Sequence, residues 1–298
     1  MTELTDILPQ LEQRLGPLAG EPVPLDGGIT NRNFRVRLGE GEYVVRLHGA
    51  GTGLLGIDRE SERAANAAAA ALGIAPGVAA SLGGALVTQA IDVRAPAPGE
   101  IAARAEELGG ALRRFHDSGL QLPSTFWVPD LLAAYASELE RRGAAPPPGF
   151  AGAAEAAGRI AAALPLAHPR PCHNDLLPGN ILHPAGEDGV AIVDWEYAGM
   201  GHPYFDLGNL SVNNEFDRAC DARLLAAYLG RPASPAESSA LALMRVLSDA
   251  REAAWGMLQA HVSELEFDFA GYASKHFERL RAAVERPSFE EWLASAQA

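Results

Sequence analysis

The stretch Cys172-His-Asn-Asp-Leu-Leu-Pro-Gly-Asn180-Ile-Leu182, followed by Ile192-Val-Asp194-Trp-Glu196, decides how this chain is read. Within it, His173-x-Asp175-x-x-x-x-Asn180 sets an aspartate and an asparagine five residues apart. Asp194 then ends a short apolar strand. Phosphoryl transfer asks for little covalent chemistry from a protein. It needs a carboxylate that orients an attacking hydroxyl and can take its proton, and oxygen ligands that hold Mg²⁺ on the phosphates. Asp175 suits the first task. Asn180 and Asp194 suit the second, because Asn180–Trp195 reads as strand, turn, strand, and a hairpin would bring both residues to one metal. His173 reads as a structural hydrogen-bonder. A single loop aspartate is usually a turn or cap residue; the combination carries the reading.

Working upstream, Leu4, Ile7, Leu8, Leu11 and Leu15 recur at helical spacing and predict an amphipathic opening helix. Pro22–Gly49 reads as strand, Gly-containing turn, strand, tight turn at Gly39–Gly41, strand. A helix is expected from Asp58, its N-cap, to about Leu72, with Gly73 as its stop. Short strands are expected around Val78–Ser81 and Ala85–Ile91, and the Arg94–Gly99 stretch RAPAPG reads as a hinge. Beyond it the pattern is mostly helical: Glu100–His116, Asp130–Arg141, Ala153–Leu164, Asp217–Leu229, Pro235–Val262 and Asp268–Val284. Residues Gly143–Gly158, rich in Ala, Pro and Gly, read as a surface linker before a helix. The expected organisation is α+β in two parts, residues 1–93 and 94–298, sharing a cleft.

The small part carries its own candidates. Gly27-Gly28-Ile29-Thr30-Asn31 lies between two strands, where backbone N–H groups can cradle phosphate. The chain has one lysine, Lys275, far from this sheet. The kinase template places a phosphate-binding lysine at the end of the strand Val44-Val45-Arg46, so Arg46 is the candidate for the nucleotide phosphates; its fork can hold oxygens bidentately and never deprotonates. Its partner is expected to be an acid on the following helix, in Arg59-Glu60-Ser61-Glu62.

Composition narrows the classes. The 298 residues are 48% hydrophobic and 21% charged, with a formal net charge of −14. An acidic surface argues against nucleic acid and anionic membranes as partners. Cys172 and Cys220, the two cysteines, make neither a disulfide framework nor a zinc site. MTELTDILPQ has no leader pattern and no apolar run is long enough to insert in a membrane, so a cytoplasmic location is the expectation. Oligomeric state is not legible.

The segment resembles the phosphotransferase loop of the choline/ethanolamine kinase family, within the aminoglycoside phosphotransferase and protein-kinase-like superfamily. The resemblance runs from about Pro22 to Leu280 and includes IVDWEYAGMGHPYFDLGN, with Asp-aromatic-Glu-Tyr followed by Phe-Asp-x-x-Asn. It implies a two-lobed protein-kinase-like fold, with a small, mostly β N-lobe and a larger, mostly helical C-lobe, and ATP and Mg²⁺ as cofactors. It implies Asp175 as catalytic base, Asn180 and Asp194 as metal ligands, and Asp206 and Asn209 as supports of the loop. The family spacing implies Glu62 as the acidic partner of Arg46, with Glu60 as the fallback. The same resemblance puts Trp255 and Tyr272 as aromatic walls around a substrate cation, where cation–π contact contributes roughly 0.5–2 kcal/mol per face, and Glu196 as a carboxylate beside it. One position departs: Glu252 stands where the family carries another Trp. It could bind an N–H donor or pair with Arg251 or Arg245.

Asp194 and Asp206 are twelve residues apart and no Ala-Pro-Glu follows, which leaves no room for the activation segment a protein kinase needs. A small cationic hydroxyl compound is the expected substrate, choline or ethanolamine first, with a slight lean to ethanolamine-like amines. Thiamine, an aminoglycoside or another small hydroxyl compound is the alternative. A metallohydrolase built on His173, Asp175, His183, Asp194 and His202 leaves Asn180, the glycine loop and Arg46 without a role. A nucleotide-binding module without catalysis leaves Asp175 without one.

Overall fold

The computed structural model describes residues 2–25, 31–49, 52–94, 96–97, 99–185 and 189–297. Helix α1 (Leu4–Leu15) buries Leu4, Ile7 and Leu11, the heptad-like stripe of its sequence. Strands β1 (Val23–Leu25), β2 (Asn31–Leu38) and β3 (Gly41–His48), helix α2 (Arg59–Ala71), and strands β4 (Val78–Leu82) and β5 (Ala85–Gln89) follow. The five strands form one antiparallel sheet in the order β1-β2-β3-β5-β4. Alternation along β3 sends Val45 and Leu47 into the core with α1 and leaves Arg46 on the opposite face. The turn into β3 uses Gly39 at φ +56, where a Cβ would meet the Leu15 carbonyl at 2.6 Å. Asp58 caps α2 by accepting from Ser61 N at 2.8 Å.

After β6 (Val93–Arg94) the chain is mainly helical: α3 (Glu100–Ala103), α4 (Ala105–His116), α5 (Val128–Arg141) and α6 (Gly149–Ala163). Next come β7 (Arg170–Cys172), β8 (Ile181–Pro184), β9 (Ala191–Ile192) and β10 (Gly199–Gly201). The chain ends in α7 (Pro203–Asn213), α8 (Arg218–Leu229), α9 (Pro235–Val262), α10 (Phe269–Val284) and α11 (Pro287–Ala296). This is the expected α+β, two-part architecture. Helix α9 is its axis: Ser234 and Glu237 form a capping box at its start, and α5, α6, α7, α10 and α11 all pack on it.

Several boundaries differ from expectation, each for a packing reason. The single helix expected over Glu100–His116 breaks at Arg104. The break lets α4 turn Ala105, Leu108, Leu112 and Phe115 into the core while α3 buries nothing. The expected linker Gly143–Gly158 is helical from Gly149 onward. Its alanines favour a helix, and Gly149 packs so close to Phe277 that a Cβ would lie 2.8 Å from the ring. Helices α7 and α11 were not expected. In α7 every residue from Phe205 to Val212 is buried, so no polar face marks its period. Gly208 permits this: a Cβ there would meet the Met244 backbone of α9 at 2.6 Å.

Candidate active site

The loop after β7 is held from below by α7. Asp206 is fully buried; its Oδ2 accepts from His173 N at 2.8 Å and its Oδ1 from Asn174 N at 2.7 Å. His116 Nε2 lies 2.9 Å from the same Oδ2 and Nδ1 lies 2.9 Å from the Tyr228 hydroxyl. Burial works against the Asp206 carboxylate, yet these donors hold its pKa below the usual range. Asn209 Oδ1 accepts from Leu176 N at 2.5 Å, and its Nδ2 donates to Ser248 at 2.9 Å. Asp206 and Asn209 thus carry the loop as expected. His173 is a structural bridge: Nε2 lies 2.9 Å from the Val193 carbonyl and Nδ1 accepts from Asp175 N at 3.1 Å. Burial lowers its pKa and keeps the ring neutral.

Asn174 takes φ +69 and Asp194 φ +65, left-handed backbone that Asn and Asp tolerate better than most residues. Asp175 therefore emerges at the head of a rigid loop, 7% exposed. Burial pushes its pKa up to about 8, against the opposing pull of Arg251. Asn180 Nδ2 donates to the Asp175 carbonyl at 2.7 Å and lies 3.3 Å from its Oδ2. The β8–β9 hairpin pairs Ile181 with Ile192, and Val193 N donates to the Asn180 carbonyl at 3.0 Å. Asp194 follows directly in sequence, one residue beyond this contact.

The sheet meets this loop through Arg46. Its Nη1 is 3.0 Å from Glu62 Oε1 and 2.6 Å from Asp194 Oδ1. Burial alone would lower the Arg46 pKa; Asp194 and Glu62 outweigh it and raise it. Glu62 is buried, whereas the fallback Glu60 is exposed. Arg59, which sequence reasoning missed, ties Glu62 (2.8 Å) to Glu196 (3.5 Å). Asn31 Nδ2 donates to Glu196 Oε2 at 2.8 Å, so Glu196 is bound up with the sheet and α2. Gly27, Gly28 and Thr30 lie outside the described residues, as does part of the Arg94–Gly99 stretch.

On the other side of Asp175 stands α9. Trp255 and Tyr272 meet edge to face at 5.7 Å between ring centroids. Trp255 Nε1 donates to the Tyr197 hydroxyl at 2.9 Å, and the Tyr272 hydroxyl donates to Glu252 Oε2 at 2.7 Å. Glu252 Oε1 accepts from Arg251 Nη1 at 2.9 Å, and the same nitrogen is 3.0 Å from Asp175 Oδ1. Of the two expected fates of Glu252, pairing with Arg251 is the one observed. Arg251 itself was not singled out as a site residue; its only signal is an Arg-Glu pair inside the apolar run Ala250–Leu258.

Among the described residues, the group of three His, Cys, Asp or Glu side chains close enough together to share a metal is His116, Cys172 and Asp206. Both His116 nitrogens there are already hydrogen-bonded, and the hydrolase set is not assembled. No helix among the described residues is long and apolar enough to cross a membrane.

An antiparallel sheet over a helical body, with this loop between them, defines a protein-kinase-like phosphotransferase. The phosphotransferase enzyme family model matches residues 21–243. A choline/ethanolamine kinase family protein from Mesorhizobium loti is 31% identical and superposes with a TM-score of 0.79 over 98% of this chain and 97% of its own. The choline kinase LicA from Streptococcus pneumoniae, 22% identical, shares the fold with a TM-score of 0.78 over 94% of this chain and 98% of its own. Ethanolamine kinase 2 from Rattus norvegicus is 34% identical over 124 residues, 36% of this chain and 32% of that protein, so the match spans about a third of that relative's length. The chain belongs to the choline/ethanolamine kinase family, within the phosphotransferase enzyme family.

Proposed function

We propose that this protein transfers the γ-phosphate of ATP to the hydroxyl of a small amino alcohol. The observation that carries the proposal is the buried Asp175 carboxylate, held at the head of the Asp206-braced loop with Asn180 and Asp194 beside it. In the reaction the substrate oxygen forms a bond to the γ-phosphorus, the bond from that phosphorus to the bridging oxygen breaks, and ADP leaves. The hydroxyl proton passes to Asp175. Arg46 binds the α- and β-phosphates, supported by Glu62, and Gly27, Gly28, Thr30 and Asn31 are assigned to nucleotide binding.

The donor set suits Mg²⁺. Asn180 uses its amide nitrogen on Asp175, which frees its oxygen as a ligand, and Asp194 supplies a carboxylate; both are hard oxygen donors. When bound, the metal neutralises charge on the phosphates. We divide the chain functionally at residues 93 and 94, into a nucleotide lobe and a catalytic lobe, and assign it to the cytoplasm, where ATP is supplied. Ethanolamine-like amines suit the acceptor side better than choline, because Glu252 replaces an aromatic wall. A thiamine or aminoglycoside kinase has no observation of its own in its favour.

The test is ADP release by the purified protein across choline, ethanolamine, thiamine, sugars and aminoglycosides, with and without Mg²⁺. Amine-alcohol-dependent, metal-dependent ADP release is expected. Turnover that persists in Asp175→Asn, or without divalent metal, would sink the proposal.

A further inference from the structure

The acceptor side of Asp175 already holds a cation of the protein's own. The two oxygens of this carboxylate have different neighbours: Asn180 at Oδ2 and Arg251 at Oδ1. Arg251 comes from α9, the helix that also carries Trp255 and Glu252, the residues proposed to face the substrate cation. Its guanidinium sits over the Tyr197 ring, 4.3 Å from the centroid. Its Nη1 bridges Asp175 and Glu252, and the second Glu252 oxygen accepts from Tyr272. The groups a substrate ammonium would use here (the Tyr197 face, both Glu252 oxygens and Asp175 Oδ1) are thus engaged by Arg251 or Tyr272.

Arg251 is also incompletely satisfied. The residue is 2% exposed, and its Nε and Nη2 are buried with no acceptor among the described residues. Charged donors withdrawn from water and left unpaired are costly. An oxygen acceptor arriving beside Asp175 would relieve that cost. Charge limits its kind. One guanidinium faces two carboxylates, so a substrate carboxylate would add a third anion, whereas a hydroxyl or ether oxygen adds none. Any ammonium sets like charge against Arg251; a primary ammonium offsets this with three N–H donors for the remaining lone pairs of the acids, whereas a trimethylammonium has none to offer.

We infer that Arg251 determines acceptor specificity, and that the substrate is an amino alcohol with a second, neutral oxygen beside the phosphorylated hydroxyl: an amino polyol, not choline. This deepens the kinase reading and rests on it.

The probe is 2-amino-1,3-propanediol, which differs from ethanolamine by one hydroxymethyl group. With the full chain, kcat/KM for ADP release should favour the diol over ethanolamine by about ten- to a hundredfold, with choline last. Arg251→Lys keeps a charge between Asp175 and Glu252 but loses the fork; the diol-to-ethanolamine ratio should fall toward one, whatever happens to absolute rates. Titration calorimetry on the unmodified protein should find tighter binding of the diol than of choline, a result independent of turnover and of how the variant folds. Choline equal to or better than the diol by either readout, a ratio unmoved in Arg251→Lys, or no binding of the diol overturns the inference. Preferred turnover of choline would do so while leaving the kinase reading intact. Arg251-dependent diol binding with no ADP release from any alcohol would support the acceptor-site assignment and overturn the kinase reading.

Discussion

The two sides of the Asp175 loop are built from similar residues and balanced in opposite ways. Behind it, both oxygens of Asp206, both nitrogens of His116 and both ends of the Asn209 amide have partners. In front, Arg251 faces two acids through one nitrogen while two others have none. A satisfied buried network loses stability whichever member changes partner, so it fixes geometry. An under-satisfied one has something to gain from a ligand. The back of the loop is scaffold and the front is the working surface, although both are equally buried.

That contrast can be broken by experiment. The largest effect expected is from removing metal: chelation should abolish ADP release, and Mg²⁺ or Mn²⁺ should restore it, with the unfolding midpoint unchanged by the chelator. A midpoint that drops with the activity would mean the front is structural too. Next, Asp175→Asn should lower kcat by about 10²–10⁴ while nucleotide binding, followed by calorimetry, persists. Asp206→Ala should act on the other axis. It strips partners from His116 and two backbone N–H groups and should cost roughly 3–5 kcal/mol in urea unfolding. If Asp206→Ala unfolds no more easily than wild type, the scaffold assignment fails. The smallest effect expected is from Tyr272→Phe, which removes one donor to Glu252 and should cost about 1 kcal/mol of stability, with a larger change in substrate KM than in kcat.

The sequence exposed the parts of this site whose chemistry dictates spacing. Asp175 and Asn180 must share one loop and Asp194 must follow a hairpin, so the three are readable at fixed offsets. Arg46 was readable from its place at the strand end where a kinase carries its phosphate-binding lysine. Partners chosen in space were not readable. Arg251 meets Asp175 across 76 positions, and nothing local to α9 names that carboxylate. The family resemblance put Glu196 beside a substrate cation, and nothing in its own sequence foretold its bonds to Asn31 and Arg59. Helix α7 escaped for a different reason: a helix buried on all sides has no amphipathic period, and the residues that mark it, Asp206 and Asn209, were legible only through the family pattern.

The contact of Arg46 with Asp194, made across 148 positions of chain, bears on product departure. If Arg46 grips nucleotide phosphates as proposed, Asp194 is an intramolecular rival for the same guanidinium, at an effective concentration on the order of millimolar or more. ATP must displace that rival with its α- and β-phosphates, and ADP, which keeps both, is held by the same fork while the carboxylate competes to reclaim its partner. The ion pair that ties the sheet to the helical body would then also shorten the residence time of the spent nucleotide and keep the turnover cycle moving.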